Sequence, residues 1–437
     1  MNRLTHIAQE LSILAQDFYQ QGLTHLDYLT ELTWLLGLKL TTLHELTRPE
    51  EFDWYQFIQQ PSELQYQQYS QCLKTFAQLP HPLIAGVFKQ AQTQLTQPQQ
   101  LNQLIAALAV IDGIAFEDLA ALYEMVLETS AHQPHSALYH PPQALVDVIT
   151  VLIQPQNNEI IQDPLAGSGN FLVAAHEYSQ VTAETSQIPM LIGIEPTLSR
   201  QRLALMNCLL HQLSSSQSVP ILWGDSLLLN QHTWPQADVI ISMLVFTPES
   251  PENRYQHNAT LALLQRICHL LKPGGRAAVI VADNILNASG PAQQVRHILL
   301  ETCRLHTILR LPEGVFYPHH ITAQVIFFQR CQNDEEKTQD IWYYDLRTQV
   351  PAFGAYRTLK REQLRAFEQL YGDDPNGQAP RSNVSPRWQC ISRAQLIEER
   401  LDYCALAQDS QPMTIDVGEI VNTTVEELEI LKTLLQE

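Results

Sequence analysis

The segment DPLAGSGNFL, residues 163–172, has the residue types and order of a small-molecule cradle. An apolar run ends at Asp163, a loop of small residues follows, and a helical pattern opens after it. Gly167 and Gly169 let backbone N–H groups approach a ligand closely. A dinucleotide fingerprint requires a third glycine at position 172, where Leu172 stands. With an acidic-Pro pair ahead of the loop, the pattern favours a nucleoside with an amino-acid tail over a pyrophosphate. An ordinary tight strand–helix turn explains Gly-Ser-Gly taken alone.

Two acids add weight. Glu195 ends the next apolar run, in GIEP, and Asp225 ends the one after, in GDSLL. Each alone reads equally well as a strand-end cap. At the carboxyl ends of three consecutive strands, however, such acids can bind ribose hydroxyls and an adenine amino group beside the glycine loop. S-adenosylmethionine is the ligand that this order favours.

Other chemistries are disfavoured. The 16 histidines include no HxxxH or HExxH pair, and the seven cysteines (72, 208, 268, 303, 331, 390, 404) include no CxxC. Neither a metal site nor a disulfide framework is expected, which suits a reducing cytoplasm. With 46 Asp and Glu against 26 Lys and Arg, the formal charge is −20. Such a chain is a poor free-standing nucleic-acid binder, so a partner would supply much of any grip on nucleic acid. No apolar run approaches the ~18 residues of a membrane span. The opening MNRLTHIAQELSILAQ lacks a continuous apolar stretch, so no signal peptide is expected.

These residues need a scaffold. Residues 1–130 carry apolar positions near helical spacing (Leu11, Ile13, Leu14, Phe18, then Leu26, Leu29, Leu32, Leu36), which predicts an all-α domain. The glutamine-rich stretch from Gln56 to Gln100 reads as solvated surface between helices. Residues 131–335 alternate apolar runs (159–164, 190–196, 220–225, 237–242, 276–283, 321–329) with amphipathic stretches such as 197–213 and 258–271. That predicts an α/β domain on a parallel, doubly wound sheet. LKPGG at 271–275 reads as a helix stop and a turn into a strand. Residues 336–437 form an extension, with a possible strand at 342–347, a loop at 371–386, and a terminal amphipathic helix in TTVEELEILKTLLQE.

DPLAGSGNFL, GIEP, LALMNCLLH (203–211), GDSL, LKPGGRAAVIVADNIL (271–286), LHTILRLPEGVFYP (305–318), WYYDLRT, FGAYRTL and YGDDPNG together resemble the modification (M) subunit of type I restriction–modification enzymes. The likeness runs in order through most of residues 130–400. It implies a Rossmann-like S-adenosylmethionine-dependent methyltransferase core that methylates adenine N6 in DNA. It also implies a specificity subunit that reads the DNA, a second M subunit, and a motor–nuclease subunit in a cytoplasmic defence complex. Carried over by position, the cofactor segment comprises Tyr139, His140 and Pro142, then Asp163, Ala166, Gly167, Ser168, Gly169, Asn170 and Phe171. Glu195 corresponds to the ribose acid, and Asp225, Ser226 and Leu227 to the adenine side. YHPPQ (139–143) keeps Tyr139 and Pro142 of the family's Tyr-Phe-Thr-Pro-Arg. His140, Pro141 and Gln143 depart from it.

A larger departure follows the fourth strand. The family motif there is Asn-Pro-Pro-Phe/Tyr. The Asn oxygen and a prolyl carbonyl accept the two N–H bonds of the flipped adenine, and the aromatic ring stacks on it. The aligned residues here are Met243, Leu244, Val245 and Phe246. Only the aromatic remains, and a thioether is a weak acceptor. A one-residue slip would offer Ser242 instead, without an aromatic at the usual spacing. The family's Lys-Thr-Asn before the last core strand reads Thr322, Ala323, Gln324. LRLPEGVFYP reads as a rigid turn with Phe316 in the core, followed by exposed His319 and His320.

Three readings remain. The first is an M-type subunit that binds S-adenosylmethionine with impaired methyl transfer. The second is an active adenine-N6 DNA methyltransferase. The third covers a different methyl acceptor or a scaffold without cofactor.

Overall fold

The computed structural model describes residues 3–43, 48–133, 136, 138–182, 188–213, 219–229, 234–244, 253–319, 321–348, 350, 352–354, 357–382 and 385–402. Val245, Phe246, His320 and the expected terminal helix lie outside this set. Residues Met1–Leu401 form one compact unit.

As the spacing of apolar residues predicts, the described residues up to 133 form helices and turns without strands. The glutamine stretch corrects one expectation, because it contains the helices Ser62–Phe76 and Pro82–Val87 and is not uniformly solvated. Gln65 and Gln100 are buried. Gln65 Nε2 donates to the Phe57 carbonyl (3.1 Å), and Gln100 Nε2 donates to Gln21 Oε1 (3.0 Å). A buried amide is tolerated once its polar atoms are paired.

Among the described residues one sheet has nine strands: β1 (Ile160–Asp163), β2 (Met190–Glu195), β3 (Ile221–Trp223), β4 (Ala237–Leu244), β5 (Leu271–Ala282), β6 (Cys303–Arg310), β7 (Ala323–Arg330), β8 (Asp340–Asp345) and β9 (Trp388–Ser392). Their order is β3-β2-β1-β4-β5-β7-β6-β8-β9. The expected all-parallel sheet needs correction, because β7 runs antiparallel to β5 and β6, and β9 antiparallel to β8. The other pairings are parallel, so β1, β2, β3, β4, β5, β6 and β8 end at the same edge. The helix before β5 ends at Leu270, as LKPGG implies, but the expected turn needs correction, because residues 271–275 already belong to β5, whose register slips between Ala237 and Val239.

The helix Leu198–Leu210 joins the two layers. Every residue from Gln201 to Leu210 is buried, between the sheet and the N-terminal helices. Its Arg202 lies over the Trp34 ring (5.0 Å) and donates to the carbonyls of Lys89 and Gln90 (2.7 and 3.1 Å). A guanidinium keeps its charge here by stacking and by charge-assisted bonds.

A cleft at the carboxyl edge of the sheet

The β1 loop is built by local constraints. Gly169 has φ +81°, and a Cβ there would stand 2.9 Å from Ile221, so glycine is required. The Ala166 N–H bonds the Ile194 carbonyl (2.8 Å), which ties the loop to β2. The Ser168 carbonyl receives Asn207 Nδ2 (3.2 Å) from the buried helix. Asn207 lies within LALMNCLLH, and this bond gives that motif its structural purpose.

Glu195 is fully buried at the end of β2. Its carboxylate accepts from the Gly167 N–H (3.1 Å) and the Thr197 N–H (2.8 Å). The Thr197 side chain bonds the carboxylate as well, and since a carboxylate has about four acceptor positions, about one remains. Burial raises its pKa, and Arg200, Thr197 and Gly167 partly oppose this.

Tyr139, His140, Gly167, Ser168, Glu195 and Met243 line one cleft, together with Leu127, Leu138, Leu165 and Arg200. The remaining expected site residues support this wall from behind or beside it. Pro142 precedes the helix Gln143–Ile153. Ala166, Gly169, Asn170 and Phe171 form the loop and the start of the helix Asn170–Val181. Asp225 accepts from the Leu227 N–H (2.8 Å), and the Ser226 hydroxyl donates to the Pro164 carbonyl. The Asp225–Leu227 turn is thus fastened to the β1 loop without lining the cleft.

The departures in YHPPQ form a network of their own. Asn170 Nδ2 lies 3.1 Å from His140 Nε2 and 3.4 Å from Gln143 Oε1. The Ser168 hydroxyl lies 3.2 Å from His140 Nδ1. Burial pushes the His140 imidazole down to about 3, so it is neutral near pH 7.

Met243 lines the cleft from β4 and lies in register with Ile280, Val325, Leu309 and Tyr344 across the sheet. Leu244 is buried in the alternate row with Val281 and Gln324. Ser242 is fully buried and is not among the residues that line the cleft, and its hydroxyl donates to Asp163 Oδ1 (2.6 Å). Gln324 is buried too, with Nε2 donating to Asp283 (3.0 Å), and the Thr322 carbonyl accepts from the Asp283 N–H (3.1 Å). Phe316 is buried as expected. His319 departs from the expectation of an exposed loop histidine. Its ring packs on Tyr139 (4.4 Å), and its Nε2 meets the Leu138 carbonyl (2.9 Å).

Arg200 was not legible as a site residue, because it sits in the first turn of an ordinary helix. Its closeness to Glu195, through GIEP running directly into TLSR, was the available signal. Among the described residues no group of His, Cys, Asp and Glu could hold a metal, and no helix is long and apolar enough to cross a membrane.

Asp163 yields a test. Burial pushes its carboxyl up to about 7, against the lowering bonds from Ser242 and the Leu165 N–H. The folded state therefore holds a proton that the unfolded state releases near pH 3.8. Stability from this proton is fully present below that pH and is lost as pH rises through about 7. Asp163→Asn removes the slope. Its melting temperature relative to the wild type is expected to rise across that window by about 3 °C or more, as read by thermal unfolding. An unchanged difference would contradict the burial effect.

The N-6 DNA methylase family matches residues 115–385. The type I restriction enzyme StySPI methylase subunit of Salmonella potsdam is 32% identical over 406 residues, covering 84% of this chain and 76% of that one. The EcoKI methylase subunit of Escherichia coli K12 is equally similar, at 32% with the same coverage. The crystal structure of the EcoKI M protein superposes with TM-score 0.52 at 28% identity, over 90% of this chain and 86% of that one. A chain from a type I restriction–modification assembly superposes with TM-score 0.71 at 21% identity, over 99% and 97%, a likeness of fold.

Proposed function

The chain belongs to the N-6 DNA methylase family, among the type I restriction enzyme methylase subunits, and from that premise we propose that it binds S-adenosylmethionine while transferring methyl groups poorly or not at all. The observation that carries this reading is one cleft lined by Gly167, Glu195 and Met243 together, Met243 being the residue that the resemblance aligns with the acceptor Asn. The residues fit the cofactor. Glu195 has acceptor capacity left for ribose hydroxyls, and Gly167 has open space where a Cβ would stand. Tyr139, His140 and Ser168 bound the end assigned to the methionine portion, and the turn of Asp225, Ser226 and Leu227 stands on the adenine side.

When bound, S-adenosylmethionine supplies the electrophilic methyl group. The chain's own task is to present acceptors to the adenine amino group and hold it in line. Met243 offers a thioether where an amide oxygen is needed, while Leu244 and Ser242 are buried outside the cleft lining. Losing one preorganised acceptor costs about 10²–10³ in rate. Such a chain would serve its complex through assembly, cofactor sensing or clamping of DNA. The proposed partners are a specificity subunit, a second M subunit and a motor–nuclease subunit, since the relatives that the chain matches are methylase subunits of type I restriction enzymes.

Calorimetric titration with S-adenosylmethionine tests the first half. Micromolar-range binding is expected for the wild type, and no binding by the folded chain, alone or assembled with a specificity subunit, would overturn it. Turnover by the assembled wild type would instead establish an active adenine-N6 methyltransferase.

A further inference from the structure

Positive charge is unevenly spread along this acidic chain. Positions 301–400 hold 13 of the 26 Lys and Arg and 13 of the 46 Asp and Glu, so that stretch is formally neutral and the remainder carries all of the −20. The densest run within it is Arg357, Lys360, Arg361 and Arg365, interrupted by a single acid, Glu362. All four cations are exposed. Arg361 pairs with Glu368 (2.7 Å), whereas Arg357, Lys360 and Arg365 meet no carboxylate within ion-pair distance among the described residues.

The fold places this run beside the cleft. Gly354 and Arg357 bridge each other in a tight hairpin that leads into the helix Arg361–Tyr371. Phe353 and Leu359 are buried beneath it. The Phe353 carbonyl occupies the space where a Cβ on Gly314 would stand, and Gly314 has φ +80°. The hairpin therefore sits on the turn that follows β6. The same turn carries His319, whose ring packs on the cleft wall at Tyr139 (4.4 Å). The helix then runs away from the site. Phe367 packs on Tyr344 near the end of β8, and Tyr371 packs on His306 in the middle of β6. Arg357 and Lys360 thus lie at the carboxyl edge of the sheet, one turn from the cleft.

We propose that Arg357, Lys360 and Arg365 form a phosphate-contacting strip that holds the backbone of duplex DNA beside the cleft. The inference rests on the reading of the chain as a DNA-methylase-family subunit and assigns the part of it that touches the polyanion. Exposed cations without carboxylate partners are free to replace condensed counterions, which is the source of salt-dependent, sequence-independent affinity. A strip at the cleft margin would position DNA without reading bases. Elsewhere the surplus of acid repels phosphate, so the strip also sets which face the duplex approaches.

The test measures binding of a labelled DNA duplex to the full-length chain as a function of salt concentration. Arg357→Glu/Lys360→Glu is compared with Arg3→Glu/Lys74→Glu, which reverses two exposed cations in the helical part and gives the same net charge. The strip variant is expected to bind on the order of tenfold or more weakly at low salt. Its slope of log affinity against log salt should fall by about two. The control should stay close to wild type. Equal losses in both variants, an unchanged strip variant, or no duplex binding by the wild type at low salt would each overturn the proposal. S-adenosylmethionine binding is measured on the same samples. If it is retained in both variants, loss of the strip proposal leaves the cofactor reading intact, and the reverse also holds.

Discussion

Glu195→Ala is expected to weaken S-adenosylmethionine binding by about a hundredfold or more, the largest single effect of any cleft substitution. Two losses combine. The carboxylate is the acceptor proposed for the ribose hydroxyls, and a charged acceptor bond contributes about 1.5–3 kcal/mol. It also holds the Gly167 N–H and the Thr197 N–H in place. Removing it orphans two donors beside a fully buried position, at about 1–3 kcal/mol each. The glycine loop would lose its anchor to the carboxyl end of β2. Glu195→Gln separates the two contributions. Its single side-chain oxygen can serve one N–H but not both, so a loss of about tenfold in affinity with a smaller fall in melting temperature is expected. Calorimetry on both variants, with near-ultraviolet circular dichroism to confirm native packing, checks the result. Wild-type affinity in folded Glu195→Ala would remove Glu195 from the ligand site.

The second large effect is a gain. Met243→Asn combined with Leu244→Pro and Val245→Pro rebuilds Asn-Pro-Pro ahead of Phe246. Methyl transfer to DNA by the assembled complex is expected to rise by about 10²–10³. Met243 lies at the end of β4 and lines the cleft, so the new amide starts from a position already facing the site. Met243→Asn alone should recover only part of the rate, because the prolines aim the backbone carbonyl that takes the second N–H. The buried bond from Ser242 to Asp163 precedes the motif and is not altered by the change. Cofactor affinity should stay within about threefold of wild type, since none of the three residues belongs to the Gly167–Glu195 wall. Failure to gain activity despite intact cofactor binding would place the defect elsewhere, with the YHPPQ segment and Thr322–Gln324 as the next positions to restore.

Much of this architecture was legible because strand-end chemistry is local. Asp163, Glu195 and Asp225 each end or follow a short apolar run, and the glycine loop lies between a strand and a helix pattern. β6 escaped notice for a physical reason. Its residues Arg304, His306, Thr307 and Arg310 interrupt the apolar run, yet His306, Thr307 and Arg310 are buried, with His306 Nδ1 2.9 Å from the Thr307 hydroxyl. β9 is five residues long at the sheet edge and pairs only with β8. The antiparallel insertion of β7 could not be read from hydrophobicity, because a strand buried on both faces looks the same in either direction. Arg200 and Asn207 act through contacts that exist only after the helix Leu198–Leu210 packs under the loop. The buried Gln65 and Gln100 show the converse, where composition suggested solvent and pairing of the amides allowed burial.

The departures from the family pattern also differ in kind. His140 and Gln143 have joined a hydrogen-bonded network with Asn170, so their change is absorbed by the loop. At Met243 the neighbouring Ser242 is buried outside the cleft lining, so its hydroxyl is not presented to the cleft. Under the proposed function, the Met243 substitution bears on chemistry while the fold around it holds.

The most direct measurement is transfer of labelled methyl from S-adenosylmethionine to adenine in DNA. It would use the wild-type chain and the Met243→Asn/Leu244→Pro/Val245→Pro variant, each assembled with a specificity subunit and saturated with cofactor. The expected result is transfer by the variant at a rate at least about a hundredfold above that of the wild type, with matching cofactor affinities. Wild-type turnover equal to that of the variant would contradict the assignment of Met243 as the residue that impairs catalysis.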